Sequence, residues 1–327
     1  MTKETTTKCG FVAVIGAPNA GKSSLVNAMV GAKVSIVTHK VQTTRARVRG
    51  VAVHGETQIV YIDTPGIFTP KRQFDRAMVA AAWDGLAGAD AIVVMVDAPS
   101  YIAGRAPADG GAKRAAAAAR RAAADTDAIL EAIGAKGDAA TLAPKTILAI
   151  NKVDALPREK LLALTAQLNE HGLFSETYYI SATRGDGLED LRASLLARMP
   201  AGPWMYPEDQ LSDISDRLLA AEITREKLYL RLHQELPYET TVETETWERT
   251  KKGGLRIEQT IYVARDSQKG IVLGRGGQTL KAIGAAAREE LSGLLGETAH
   301  LFLFVKVREN WADDPARYRE MGLEMGD

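Results

Sequence analysis

Phe11-Val12-Ala13-Val14-Ile15-Gly16-Ala17-Pro18-Asn19-Ala20-Gly21-Lys22-Ser23 is an apolar run that breaks at a glycine and closes on a lysine and a hydroxyl residue. Its second half fits G-x-x-x-x-G-K-[ST], residues 11–15 read as a buried strand, and residues 22–30 carry a helical pattern. Strand, glycine-rich loop and helix in that order give the pattern a mechanism. Gly16 and Gly21 let backbone N–H groups turn inward around phosphate oxygens, and the helix directs its positive end at the same point. Lys22 supplies charge to the β and γ phosphates, and the Ser23 hydroxyl is a ligand for Mg²⁺.

Further apolar runs at residues 58–62, 91–96, 146–150 and 177–180 are spaced widely enough for intervening helices, which predicts a parallel α/β sheet. Ligands on such a sheet bind beyond the carboxyl ends of its strands. Asp63-Thr64-Pro65-Gly66 follows the first of these runs; the aspartate can organise the Mg²⁺ shell and the Gly66 N–H can meet the γ-phosphate. Asn151-Lys152-Val153-Asp154 follows the third. A carboxylate such as Asp154 accepts hydrogen bonds from guanine N1–H and the exocyclic amine, which adenine does not offer in that arrangement. Ser181-Ala182-Thr183 follows the fourth run, where a backbone N–H would meet guanine O6.

The chain has 327 residues, which suits two domains, and 46% hydrophobic with 25% charged residues excludes disorder throughout. Basic and acidic residues balance at 41 each, so attraction to nucleic acid or lipid has to come from a local patch. The single cysteine, Cys9, excludes an internal disulfide framework and fits a reducing, cytosolic compartment. The polar start MTKETTTKCG lacks a signal-peptide core, and no stretch reaches the roughly 18 apolar residues of a membrane span. Residues 100–143 are alanine-rich with interspersed arginine, and read as a solvated, partly helical insertion that bulges from the surface. Residues 199–211 carry Pro200, Pro203 and Pro207 and read as a linker.

From residue 212 the pattern is helix (212–235), two alternating strands (240–247 and 255–263) with a hairpin turn at Lys252, Gly253 and Gly254, a short helix (267–273), a helix (278–295) and a strand (300–307). Between the two short-spaced helices lies Gly274-Arg275-Gly276-Gly277, a G-x-x-G loop of the kind that clamps a nucleic-acid backbone. From Arg249 to Arg288 there are nine basic and two acidic residues, although residues 212–327 as a whole are net acidic. That is the local patch a neutral chain requires, and Lys269, Arg275 and Lys281 stand in it around the loop.

The first two hundred residues resemble a Ras-like P-loop GTPase, on four motifs in order. The whole chain resembles the Era family of bacterial GTPases, including ELPYETTVE at 235–243, SQKGIVLGRGGQTLKAIG at 267–284 and LFVKVRENWADDP at 303–315. The resemblance implies an α/β Ras-like GTPase domain at residues 1–198, a linker at 199–211 and an α+β type II KH domain at 212–327. It implies a GTP/GDP site of Gly16, Asn19, Gly21, Lys22, Ser23, Ser24, Thr44, Asp63, Gly66, Asn151, Lys152, Asp154, Ser181 and Ala182, with Ser23, Thr44 and, through water, Asp63 around Mg²⁺. In Gln42-Thr43-Thr44-Arg45 the first switch threonine is Thr44 by analogy, with Thr43 the alternative. Ile67 stands where related enzymes often carry a water-orienting glutamine, so intrinsic hydrolysis is expected to be slow and stimulated by RNA. Asn19 is either a loop spacer or a ligand for K⁺.

Implied partners are the 3′ end of small-subunit (16S) ribosomal RNA, bound through Gly274, Arg275, Gly276, Gly277, Lys269 and Lys281, and the 30S subunit whose maturation the GTP/GDP switch would time. A monomer in the cytoplasm with a peripheral inner-membrane fraction completes the expectation. An RNA chaperone with incidental hydrolysis and an ATP-using enzyme are the rival classes; Asn151 to Asp154 speaks against the second.

Overall fold

The computed structural model describes residues 7–40, 43–45, 47–70, 73–86, 88–106, 113–135, 142–232, 236–251 and 253–309. Gln42, Lys252, residues 233–235 and everything beyond Glu309 therefore lie outside the described residues. The chain divides into two compact units, the first running to Asp213 and the second from Ile214, with which Ile36–Thr43 groups.

The first unit comprises β1 (Lys8–Gly16), α1 (Lys22–Val30), β2 (Val48–His54), β3 (Thr57–Asp63), α2 (Gln73–Asp84) and β4 (Ala91–Asp97). It continues with α3 (Ala98–Arg105), α4 (Lys113–Ala135), β5 (Thr146–Asn151), α5 (Arg158–Asn169), β6 (Glu176–Ile180) and α6 (Leu188–Arg198). Its six strands lie in the order β2-β3-β1-β4-β5-β6. β4 and β5 are buried along their whole length, which is why they read as continuous apolar runs. The chain leaves β1 for one side of the sheet and returns to β4 on the other, so the crevice at the carboxyl end of β1 is the expected ligand position.

The sheet is not wholly parallel. β2 pairs antiparallel with β3 through the two-residue turn Gly55-Glu56, with Gly55 at φ +58°. Arg49 and Gly50 interrupt it and leave residues 51–53 as its continuous apolar run, too short to separate from loop. The alanine-rich insertion also differs from a surface bulge. The first half of α4 exposes Arg114, Arg120 and Arg121, but Ala123, Ile129, Leu130 and Ile133 are buried in the same core as Tyr101 of α3, Ile92 and Leu148. The Asp127 carboxylate accepts from the Tyr101 hydroxyl at 2.6 Å and from Arg105 at 2.7 Å, and a Cβ on Gly104 would come within 2.3 Å of the Ala119 carbonyl oxygen. The close approach at Gly104 and the shared apolar cluster together hold the two helices in contact.

The proline-rich residues 199–213 are strapped to the sheet. Cys9 N–H donates to Pro200 O at 3.1 Å, Gly202 N–H to Thr7 O at 2.9 Å and Val51 N–H to Leu211 O at 2.8 Å. Gln58, fully buried, donates to Tyr206 O at 2.8 Å and accepts from the Met205 and Tyr206 amides at 2.9 and 3.1 Å.

The second unit comprises α7 (Asp216–Arg231), β7 (Thr240–Arg249), β8 (Leu255–Val263), α8 (Asp266–Leu273), α9 (Gln278–Leu295) and β9 (Ala299–Val307). Ser215 caps α7 by accepting from the Leu218 amide, so the helix begins later than residue 212. The sheet order is β7-β8-β9, antiparallel then parallel. Leu228, Ile261, Val263, Val272 and Ile283 form one buried cluster against it. Among the described residues no helix is long and apolar enough to cross a membrane.

Leu130→Ala is expected to cost about 2–5 kcal/mol in urea unfolding and Arg114→Ala less than about 0.5. Equal, small effects at both positions would show that the second half of α4 is not core.

Candidate functional site

At the carboxyl end of β1 the backbone turns where only glycine fits. Gly16 lies at φ +155° and a Cβ there would sit 2.5 Å from the Met95 carbonyl oxygen; Gly21 lies at φ +100° and a Cβ there would sit 2.2 Å from Asn151 Nδ2. Gly21 is the N-cap of α1 and offers no side-chain cap, and the first turn carries no acidic residue. The first amides of α1 are thus left for an outside anion. Lys22 folds back over the loop, its ammonium donating to Gly16 O at 3.1 Å and Ala17 O at 3.0 Å. Burial lowers its pKa to about 8, with the Asp63 charge working in the opposite direction.

Three oxygens converge beside it. Ser23 Oγ donates to Asp63 Oδ2 at 2.7 Å and lies 2.8 Å from Thr44 Oγ1, which is 3.5 Å from the same carboxylate oxygen. Burial raises the Asp63 pKa, opposed by the Ser23 hydrogen bond and the Lys22 charge. Asp63 Oδ1 is buried and makes no hydrogen bond among the described residues. A carboxylate with an unused buried oxygen, joined by two hydroxyls, is a donor set that fits a hard oxygen-seeking cation such as Mg²⁺. Thr43 is engaged elsewhere, its hydroxyl donating to Lys40 O at 2.7 Å and lying 2.6 Å from Thr38 Oγ1. Ser24 is half-buried on α1.

Gly66 lies against the loop, where a Cβ would come within 2.8–2.9 Å of Pro18 atoms. The Ile67 amide donates to Gly16 O at 3.2 Å and its side chain, 6% exposed, packs in the core with Ala17. Ile67 therefore ties the loop after β3 to the glycine loop, and its side chain has no group that could hydrogen-bond a water.

Asn151, at the end of β5, donates through Nδ2 to Ala20 O at 2.8 Å and accepts at Oδ1 from the Ala182 amide at 3.0 Å. One side chain thus joins the glycine loop to the loop after β6. The Ser181 amide donates to Asp186 O at 3.0 Å, so the Ser181 and Ala182 amides both have partners inside the protein. Lys152 is left-handed (φ +62°), donates to Asn19 O at 3.1 Å and pairs with Asp97. Asp154 is exposed on the turn Val153–Ala155 that follows. Sequence reasoning passes over Asp97, although it closes the run 91–96 at a strand's carboxyl end, where ligand chemistry belongs.

In the second unit Gly274, Gly276 and Gly277 lie at φ +71°, +60° and +77° between α8 and α9, and a Cβ on Gly274 would come within 2.1 Å of Thr279 Oγ1. Arg275 and Lys281 are exposed beside this loop and Lys269 is half-buried.

Residues 11–152 match the family described as 50S ribosome-binding GTPase, and residues 235–312 match the KH domain. Over 318 residues, covering 97% of this chain and 95% of the relative, the chain is 58% identical to GTPase Era of Afipia carboxidovorans. The chain belongs to the Era family of GTPases. The crystal structure of an Aquifex aeolicus Era variant bound to GDP·AlF4⁻ is similar at TM-score 0.80 and 35% identity, over 97% of this chain and 99% of that one. A second Era structure, in complex with MgGDPNP and nucleotides 1506–1542 of 16S ribosomal RNA, is similar at the same TM-score, identity and coverage. The fold is that of the family: a Ras-like GTPase unit followed by a KH unit.

Asn151→Ala removes both bonds and leaves the Ala20 carbonyl and Ala182 amide unpaired. It is expected to destabilise the nucleotide-free protein by about 1–3 kcal/mol in denaturant unfolding, and an unchanged midpoint would contradict the bridge.

Proposed function

We propose that this GTPase times maturation of the 30S subunit: its P-loop unit binds and hydrolyses GTP, and its KH unit binds the 3′ end of small-subunit ribosomal RNA. The observation that carries the reading is the convergence of Ser23, Thr44 and Asp63 beside a glycine-cradled helix N-terminus and a buried lysine. Lys22 exchanges its two carbonyl partners for phosphate oxygens, and a triphosphate's charge returns its pKa toward the ordinary value. The α1 amides hold the phosphates by backbone, and the Gly66 N–H meets the γ-phosphate. Ser23, Thr44 and Asp63 would hold Mg²⁺, which when bound neutralises charge on the β and γ phosphates. The exposed Asp154 carboxylate reads the guanine N1–H and amine, while Asn151 holds the two flanking loops in register.

The chain supplies no glutamine at position 67 to orient water, so the basal rate is slow and the RNA-bound state raises it. Thr44 and Gly66 are the groups whose contacts depend on the γ-phosphate, and their ordering favours the RNA-binding state until hydrolysis removes it. Arg275, Lys281 and Lys269 meet the RNA backbone around the G-x-x-G loop. A peripheral inner-membrane fraction belongs to the same reading, with family membership as its support.

The test is GTP turnover by the full chain with and without an RNA copying the 3′ end of its 16S ribosomal RNA. Stimulation is expected, and Arg275→Ala with Lys281→Ala should abolish it, weaken RNA binding and flatten its salt slope by about 1 for each phosphate no longer neutralised. GTP affinity should stay the same. RNA binding that survives the double substitution, or GTP affinity that falls with it, would overturn the assignment.

A further inference from the structure

Asn19 and Lys152 are the two residues other than glycine that lie at positive φ among the described residues, at +63° and +62°. A left-handed backbone is costly for a residue with a side chain and persists where its surroundings hold it. Here the two are bonded to each other, the Lys152 ammonium donating to Asn19 O at 3.1 Å. Asp97 closes the arrangement. Its Oδ2 pairs with the Lys152 ammonium while its Oδ1 accepts from the Ser100 amide at 2.9 Å, as N-cap of α3. The carboxylate is 11% exposed, and β4 and β5 run in register so that Asp97 lies beside Asn151.

Lys152 is also the N-cap of the turn Val153–Ala155 that carries Asp154. Whatever fixes Lys152 therefore fixes the base-reading carboxylate relative to the P-loop. We propose that Asp97 is a positioning residue for nucleotide specificity: by holding the Lys152 ammonium against Asn19 O, it sets where Asp154 stands over the P-loop. The proposal rests on the reading of Asp154 as the guanine contact. Without the Asp97 charge the ammonium keeps one carbonyl partner, the left-handed turn loosens, and discrimination at the base amine falls while phosphate contacts persist.

Asparagine is as good an N-cap as aspartate, so Asp97→Asn keeps the bond to α3 and removes the charge pair. The experiment measures dissociation constants of the full chain for GDP and for IDP, which lacks the exocyclic amine, in wild type, Asp97→Asn, Lys152→Met and the double variant. Wild type should prefer GDP. Asp97→Asn should reduce that preference roughly three- to thirtyfold, and in the double variant its effect should disappear, as expected for coupled neighbours. An unchanged GDP/IDP ratio in Asp97→Asn, or an effect of the same size on the Lys152→Met background, would overturn the proposal. If Asp97→Asn does not fold, Lys152→Met decides it: a folded Lys152→Met protein that keeps the wild-type GDP/IDP ratio overturns the proposal. A wild type that binds IDP as tightly as GDP would instead sink the reading of Asp154 on which the proposal stands.

Discussion

The Asn151 side chain is the constraint on which the site's geometry depends. Its amide nitrogen holds Ala20 O of the glycine loop, its oxygen holds the Ala182 amide, and it sits so close to Gly21 that no Cβ could intervene. Three carboxyl-end loops, after β1, β5 and β6, are thereby set against one another by two neutral hydrogen bonds. In a buried setting each such group left unpaired would cost about 1–3 kcal/mol, so the arrangement is all or nothing. The loop after β3 is tied in separately, by the Ile67 amide on Gly16 O and by the Thr64 hydroxyl on Val14 O at 2.8 Å.

On that frame the charges are arranged to be incomplete. Lys22 and Asp63 are both buried, and burial pushes each toward its neutral form, the lysine down to about 8 and the carboxyl up. On the proposed function, a phosphate anion beside the first and a divalent cation beside the second would reverse both shifts. This is a sounder basis for tight binding of a metal–triphosphate than a solvated patch of the same charge, because low-dielectric surroundings strengthen both attractions.

Much of this is legible in the sequence. The bounds of α1 and α9 are readable to the residue, because glycines flank both helices, with left-handed Gly21 and Gly31 around α1 and Gly277 and Gly296 around α9. β4 and β5 stand out as unbroken apolar runs because both are buried throughout. β2 is hidden because Arg49 and Gly50 break its apolar run, and the buried half of α4 because its alanine-rich first half dominates the composition. The pair Asp97 and Lys152, the Asn151 bridge and the Gln58 clamp join residues 55, 131 and 148 positions apart, and nothing in local pattern reports such contacts. Motif spacing locates the loops, whereas the bonds that set one loop against another are tertiary.

On the proposed function, the loop after β5 selects guanine through Asp154 while the frame around it stays fixed. The most direct measurement compares affinities of wild type and Asp154→Asn for GDP and for XDP, in which a carbonyl replaces the amine that a carboxylate recognises. Asp154→Asn is expected to lose GDP affinity and gain XDP affinity, inverting the preference with little change in unfolding midpoint. Retained preference for GDP would contradict it and remove Asp154 from the base site.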